Sequence, residues 1–354
     1  MSAHPSITVG EGGDLPLPWL AEPLAQVLAT QRGHALLVQG HPGVGVLPYV
    51  ATLAQAWLCE SDGPRQPCGR CGSCRLVQGR LHPDLQMLLP EALRREHEWP
   101  LKGDKADADD SKRKPSRQIR IDEVRDAIDA VQRTSARGRG KVVVLHPAEA
   151  LNLQAANALL KTLEEPPEGT RLVLATADVS LLLPTIRSRC QQVLLRPPPA
   201  EAAVAWLAAQ GQREPEVLLG AAGGLPLEVA ALAAVGLDAA RWRALPRALA
   251  AGQAGALQGL PLPRAIDVLS KLCHDAMAMS AGGSGRYFPA DSLPPPSSLA
   301  ALADWSHELA RVARHEEHPW NEPLMLDALV AAAARALRPV EGRAAAARFV
   351  TLQA

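Results

Sequence analysis

Cys59, Cys68, Cys71 and Cys74 fall within the stretch CESDGPRQPCGRCGSC, spaced C-x8-C-x2-C-x2-C. Two overlapping CxxC units in a chain expected to be cytoplasmic point to a metal rather than to disulfides. Four thiolates suit the tetrahedral preference of zinc. Pro67, Gly69 and Gly72 let the backbone turn between them. The cysteines complete a tetrahedron by themselves, so a closed, structural zinc site is expected. A zinc-dependent nucleic-acid module is the alternative; against it, the knuckle is short and carries no aromatic residue to stack on a base. His82, in HPDL, reads as a turn residue.

The second group is Gly40-His41-Pro42-Gly43-Val44-Gly45-Val46-Leu47, which follows the apolar run Ala35–Val38 and leads into a helix. A glycine-rich turn between strand and helix is the setting of a phosphate loop. Backbone amides cradle phosphates there, a lysine reaches the outer phosphates and a Ser/Thr holds magnesium. Gly40, Gly43 and Gly45 stand at the glycine positions, but Val46 takes the place of the lysine and Leu47 that of the hydroxyl. No nucleotide is expected in this degenerate loop.

The elements that position these groups form an alternating pattern. Short apolar runs at Ala35–Val38, Leu85–Leu89, Val142–Leu145 and Arg171–Thr176 read as buried strands. Apolar stripes predict helices over Trp19–Ala29, over Ile119–Val131 and over Gln154–Glu165, the last stopped by Pro166-Pro167. Strands joined by helical crossovers make a parallel sheet. A phosphate-loop hydrolase also needs acids where a neighbouring strand ends, to hold magnesium and to orient water. Here the strand ends in His146-Pro147, and Glu149 comes too late. Loop and strand end are both defective, which argues against hydrolysis by this chain. The charged stretch Glu91–Gln118 reads as a solvated, disordered insertion, centred on about 96–117.

GHPGVGV, the four-cysteine knuckle, Asn157-Ala158-Leu159-Leu160-Lys161-Thr162-Leu163-Glu164-Glu165-Pro166-Pro167 and Ser188-Arg189-Cys190, in this order, resemble the bacterial clamp-loader branch of the AAA+ ATPases. The resemblance covers roughly residues 15–235 well and the remainder weakly. It implies an α/β fold with a RecA-like parallel P-loop sheet over 1–196, the zinc knuckle (59–74) inserted in it. A small helical lid over 197–237 and an all-α collar over 238–354, through which subunits associate, would follow. It also implies a non-hydrolysing subunit of the DNA polymerase III holoenzyme, a nucleotidyltransferase complex. The partners would be the tau/gamma motor subunits and the delta subunit in a five-membered ring, the sliding clamp, and primed DNA reached through the assembly. Arg189 would be an arginine finger acting on the ATP of an adjacent motor subunit, with Ser188 supporting its turn and Cys190 buried beside it. Thr176 matches the family's polar sensor. Leu227 stands where a second sensing arginine is usual.

Residues 197–199 are three prolines and mark a boundary. Short helices are expected over Ala200–Ala209, Pro215–Ala222 and Leu227–Val235. Later stripes run through Val268, Leu269, Leu272, Cys273 and Ala276, and through Leu299, Leu302, Trp305, Leu309 and Val312, with Ser297 or Ser298 as N-cap. Ser280–Ser298, rich in Gly and Pro, reads as a flexible link. A last helix is expected over Pro323–Leu337. Lys+Arg and Asp+Glu both number 37 in 354 residues, so charge excess does not make this chain a nucleic-acid binder. No apolar run suits a bilayer span and the N-terminus has no signal-peptide pattern. An autonomous P-loop ATPase remains the enzyme alternative.

Overall fold

The computed structural model describes residues 6–61, 67–100, 115–314 and 321–339. Packing divides the chain into two compact units, Met1–Pro198 and Pro199–Ala354.

The first unit is built on a five-stranded sheet in the order β2-β3-β4-β1-β5, parallel at every pairing. Its elements run α1 (Ala21–Thr30), β1 (Ala35–Gln39), α2 (Val46–Leu58), α3 (Gly72–Gln78), β2 (Leu85–Leu88), α4 (Glu91–Glu96), α5 (Ile121–Val131), β3 (Lys141–Leu145), α6 (Leu153–Glu164), β4 (Thr170–Thr176), α7 (Pro184–Arg187) and β5 (Gln191–Leu194). Side chains alternate across the central strands. Leu37, Val143, Leu145, Leu172 and Leu174 join a core with α5 and α6. The opposite face receives α2, which packs on β1, β3 and β4. Every residue of α2 is buried, so it is apolar all round, as a helix without a solvent face must be. Its one long polar side chain, Gln55, bonds both the amide and the carbonyl of Val9. Asn152 caps α6 by accepting from the amide of Ala155 at 2.8 Å, and Glu164 ends that helix before the proline pair.

β5 escaped the sequence reading. Gln191-Gln192-Val193-Leu194 has no apolar run and lies largely exposed at the sheet edge, paired only through β1. The charged stretch after β2 is corrected in part. Residues 101–114 lie outside the described residues, but Glu91–Glu96 is helical and Trp99 is buried. Arg94 finds a buried partner in Glu123 of α5 at 2.9 Å, and the amide of Ser116 donates to Glu91. In the described part of this stretch, Arg94 and Glu91 are specifically paired rather than merely solvated.

The second unit is helical: α8 (Ala200–Ala209), α9 (Pro215–Ala221), α10 (Glu228–Ala234), α11 (Ala239–Ala250), α12 (Leu262–Ser280), α13 (Leu299–Ala313) and α14 (Glu322–Ala336). One apolar cluster takes in residues from Ala203 to Leu337, so the stretches expected as lid and collar share a core. Ser298 caps α13 through the amide of Ala301. The flexible link expected over Ser280–Ser298 is instead tied down. Asp275, fully buried on α12, accepts from the amides of Arg286, Tyr287 and Phe288, each at 2.8 Å. Among the described residues no helix is long and apolar enough to cross a membrane.

Candidate functional site

The four cysteines come together. Cys59 ends α2 and Cys74 lies in the first turn of α3, which Cys71 caps. Their sulfurs all lie within 4.8 Å of one another, with Cys59–Cys71 and Cys68–Cys74 at 3.9 Å. Backbone amides of Glu60, Cys68, Cys71 and Cys74 donate to sulfurs at 3.4–3.5 Å, the direction that favours thiolates. Burial alone would raise the Cys68 thiol, but amides of Arg70 and Cys71 and the neighbouring thiols outweigh it and bring it down to about 6. Burial pushes Cys59 and Cys74 upward. Four sulfurs, two buried and two partly buried, already held at a common centre can hold a metal ion.

A polar relay beneath the knuckle was missed in the sequence. The Asp84 amide donates to Nδ1 of His82, which places the ring proton on Nε2, 3.1 Å from Ser73 Oγ. Ser73 donates to Glu60 at 3.0 Å, and Arg137 Nε reaches both Glu60 and Ser73. Arg137 holds the Glu60 carboxyl below its usual range. Asp84 in turn accepts from Ser135 Oγ and from the amides of Ala136 and Arg137. His82 therefore opens the turn into β2, as expected, its carbonyl accepting from the Leu85 amide at 3.2 Å, and is in addition a buried link between knuckle and sheet. Its only sequence signal was position, eight residues beyond the last cysteine.

The degenerate loop sits at the carboxyl end of β1, between the ends of β4 and β5, the edge where open parallel sheets bind ligands. Gly45, at φ 95°, starts α2 in a conformation that glycine alone adopts without cost. Four of the loop's amides are bonded within the chain. Gly43 donates to His41 Nδ1, Val44 to the His41 carbonyl, Gly45 to the Pro42 carbonyl and Gly40 to the Thr176 carbonyl, at 2.9–3.1 Å. Trp19 closes it from outside, its indole donating to the Val44 carbonyl at 2.8 Å. Val46 is only 1% exposed, and a Cβ at Gly40 would meet its side chain. Where a lysine would reach outward, this chain has a core residue.

The neighbouring strand ends are engaged only in part, with Glu149 Oε2 and His146 Nδ1 buried without a hydrogen-bond partner. Thr176 is buried, and its hydroxyl bonds the carbonyl and amide of Asp178. Glu149 accepts from the Ala177 amide. His146 is buried at the end of β3; burial first, then His97, brings its imidazole down to about 4, against a smaller opposing effect of the Ala175 backbone.

Arg189 is different. Its side chain is 34% exposed beyond α7. Nε donates to Glu164 at 2.8 Å, Nη2 also pairs with Glu164, and Nη1 donates to the Thr185 carbonyl at 2.9 Å and toward Ser188 Oγ at 3.3 Å. Cys190 is half-buried, its thiol pushed up to about 11 by burial. The structure gathers the cysteines into one group and the loop, His146 and Thr176 along one sheet edge; Arg189 and Ser188 form a separate surface group.

The sequence also compares with known proteins. The family described as "DNA polymerase III, delta subunit" matches residues 20–199, just over half the chain. The DNA polymerase III subunit delta' of Pseudomonas aeruginosa is 40% identical over 201 residues, 56% of this chain and 55% of that protein. The chain thus spans about half the length of that relative. The delta' subunit of Yersinia pestis is 34% identical over 273 residues, 74% of this chain and 72% of that one. The tau subunit of Escherichia coli is 36% identical over 164 residues, 46% of this chain but 22% of that protein. The chain belongs to the DNA polymerase III delta' subunit family.

Proposed function

We propose that this protein is a non-hydrolysing clamp-loader subunit of AAA+ type that helps place a sliding clamp on primed DNA. In this reading it stands in a ring with tau/gamma motor subunits and a delta subunit, and Arg189 completes the ATP site of an adjacent motor subunit. Residues 197–237 serve as the lid and 238–354 as the collar of that ring, working in the cytoplasm. The observation that carries the reading is a contrast within one chain. The loop that should bind nucleotide has the amides of Gly40, Gly43, Val44 and Gly45 bonded internally and Val46 in the core, while a permanently charged, bidentate side chain is displayed at the surface.

In the same reading the knuckle holds a structural zinc ion through Cys59, Cys68, Cys71 and Cys74. Zinc–sulfur bonds of about 2.3 Å place tetrahedral sulfurs somewhat under 4 Å apart, in keeping with the 3.9 Å pairs. Bound zinc would offset two of the four thiolate charges and tie α2 to α3.

The test is Arg189→Ala in a reconstituted ring. Fingers of this kind contribute about a thousandfold or more at the site they serve, so turnover at one site should collapse while ATP binding persists. Unchanged ring ATPase would sink the assignment. ATP binding and turnover by the purified chain would favour the autonomous ATPase instead.

A further inference from the structure

Glu164 and Glu165 are adjacent in sequence and differ in fate. Glu164 is the last residue of α6, whereas Glu165 leaves the helix at φ −130°, ψ 73°. Only Glu164 meets Arg189, through both Nε and Nη2. The backbone of Arg189 is fixed from another direction. Its amide donates to the Ile186 carbonyl, and the buried Ile186 anchors α7 in the core of the first unit. Thr185 adds a carbonyl to Nη1. The guanidinium is thus gripped along one edge by the end of α6 and at Nη1 by the turn of α7. Both are helix C-termini, where a cation is favoured.

We propose that Glu164 is the positioning residue of the arginine finger. A long arginine loses much rotamer freedom when it meets a phosphate. Here that freedom is removed beforehand, by a carboxylate on the side-on edge of the guanidinium, and Nη2 keeps a second N–H for an anion on a neighbouring chain. Preorganised charge stabilises a transition state without reorganising at the moment of reaction. The proposal rests on the reading of Arg189 as a finger that acts on another subunit. It adds that the finger's aim is set by a residue that touches neither nucleotide nor metal.

The experiment compares Glu164→Gln, Glu164→Asp and Arg189→Ala, singly and with Glu164→Gln combined with Arg189→Ala, in the reconstituted ring. Each is read by kcat and KM for ATP, and ring assembly is checked by sedimentation. Glutamine keeps the volume but loses the charge; aspartate keeps the charge but shortens the reach. A misaimed group costs one to two orders of magnitude, so Glu164→Gln should lower turnover at the site Arg189 serves about tenfold, read as a partial fall in ring kcat approaching that of Arg189→Ala, with KM unchanged. Glu164→Asp should fall between it and the native chain. In the Arg189→Ala background Glu164→Gln should change nothing further. If Arg189→Ala lowers kcat and Glu164→Gln does not, the positioning role fails and the finger stands. A rise in kcat on Glu164→Gln would mean that Glu164 restrains the finger, and would overturn the proposal. An equal loss in the Arg189→Ala background would show that Glu164 acts by another route. If Arg189→Ala leaves kcat unchanged, finger and positioning residue fall together.

Discussion

Trp242 lies flat on Phe288, with 4.4 Å between ring centroids and 5° between planes. The indole of Trp242 also donates to the Tyr287 carbonyl at 3.0 Å. Together with Asp275 these contacts hold a segment whose composition resembles a linker. Asp275→Asn would point an amide N–H at three backbone N–H donors or leave them half satisfied. Such buried bonds to a charged acceptor are each worth about 1.5–3 kcal/mol. The variant should lose roughly 2–4 kcal/mol in urea unfolding, with a change in tryptophan fluorescence as the Trp242–Phe288 stack loosens.

Restoring the motif should not restore the site. Val46→Lys with Leu47→Thr returns the two missing side chains, but the amides stay bonded to His41 and Pro42 and Trp19 still closes the loop. The double variant should bind ATP with Kd no tighter than about 1 mM by calorimetry. It should also lose about 2 kcal/mol or more of stability, because an ammonium replaces a core methyl group. Micromolar binding would show that the loop is open.

The knuckle should behave as a joint between α2 and α3. Cys68→Ser, or removal of metal by a chelator, should lower stability by roughly 2–4 kcal/mol, read as a fall in melting temperature, with the rest of the sheet retained by circular dichroism. Chelation of the Cys68→Ser variant should then cost little more. A native melting temperature in chelator would mean that no metal is held.

His146 gives the first unit a pH dependence of known sign. Its folded value of about 4 lies below the ordinary value near 6.5, so between these the unfolded chain binds a proton that the folded chain does not. Stability is full above about pH 6.5 and falls as pH drops toward 4, by roughly 3 kcal/mol for this group. Denaturant melts at pH 7 and pH 5 should show the loss, and His146→Leu should flatten it.

The parts legible in the sequence were those that local chemistry decides. β1, β3 and β4 showed as apolar runs because both faces of the sheet are covered. The cysteines showed because metal spacing is local, and Val46 and Leu47 because the loop motif fixes what should stand there. The rest depends on distant partners. Gln191–Leu194 is a strand only because β1 lies beside it. Arg94 is ordered only because Glu123 faces it. The order of Arg286–Phe288 is set from Asp275, a lone acid beside the stripe Leu272, Cys273 and Ala276, and that misplaced charge was the one available hint. His82 gave no hint beyond its position.

The burial of α2 on every side has a mechanical consequence. A helix with a wet face can tilt or slide and carry its leading turn along; α2 has no direction in which to move that does not open a void. The turn at Gly40–Gly45 is clamped to that rod at one end and to β1 at the other. Loosening it is therefore not a local event but one that dismantles the first unit. The amide hydrogens of Gly43, Val44 and Gly45 would then exchange with solvent as slowly as those in the middle of the sheet, which makes this turn a fixed reference point in the fold.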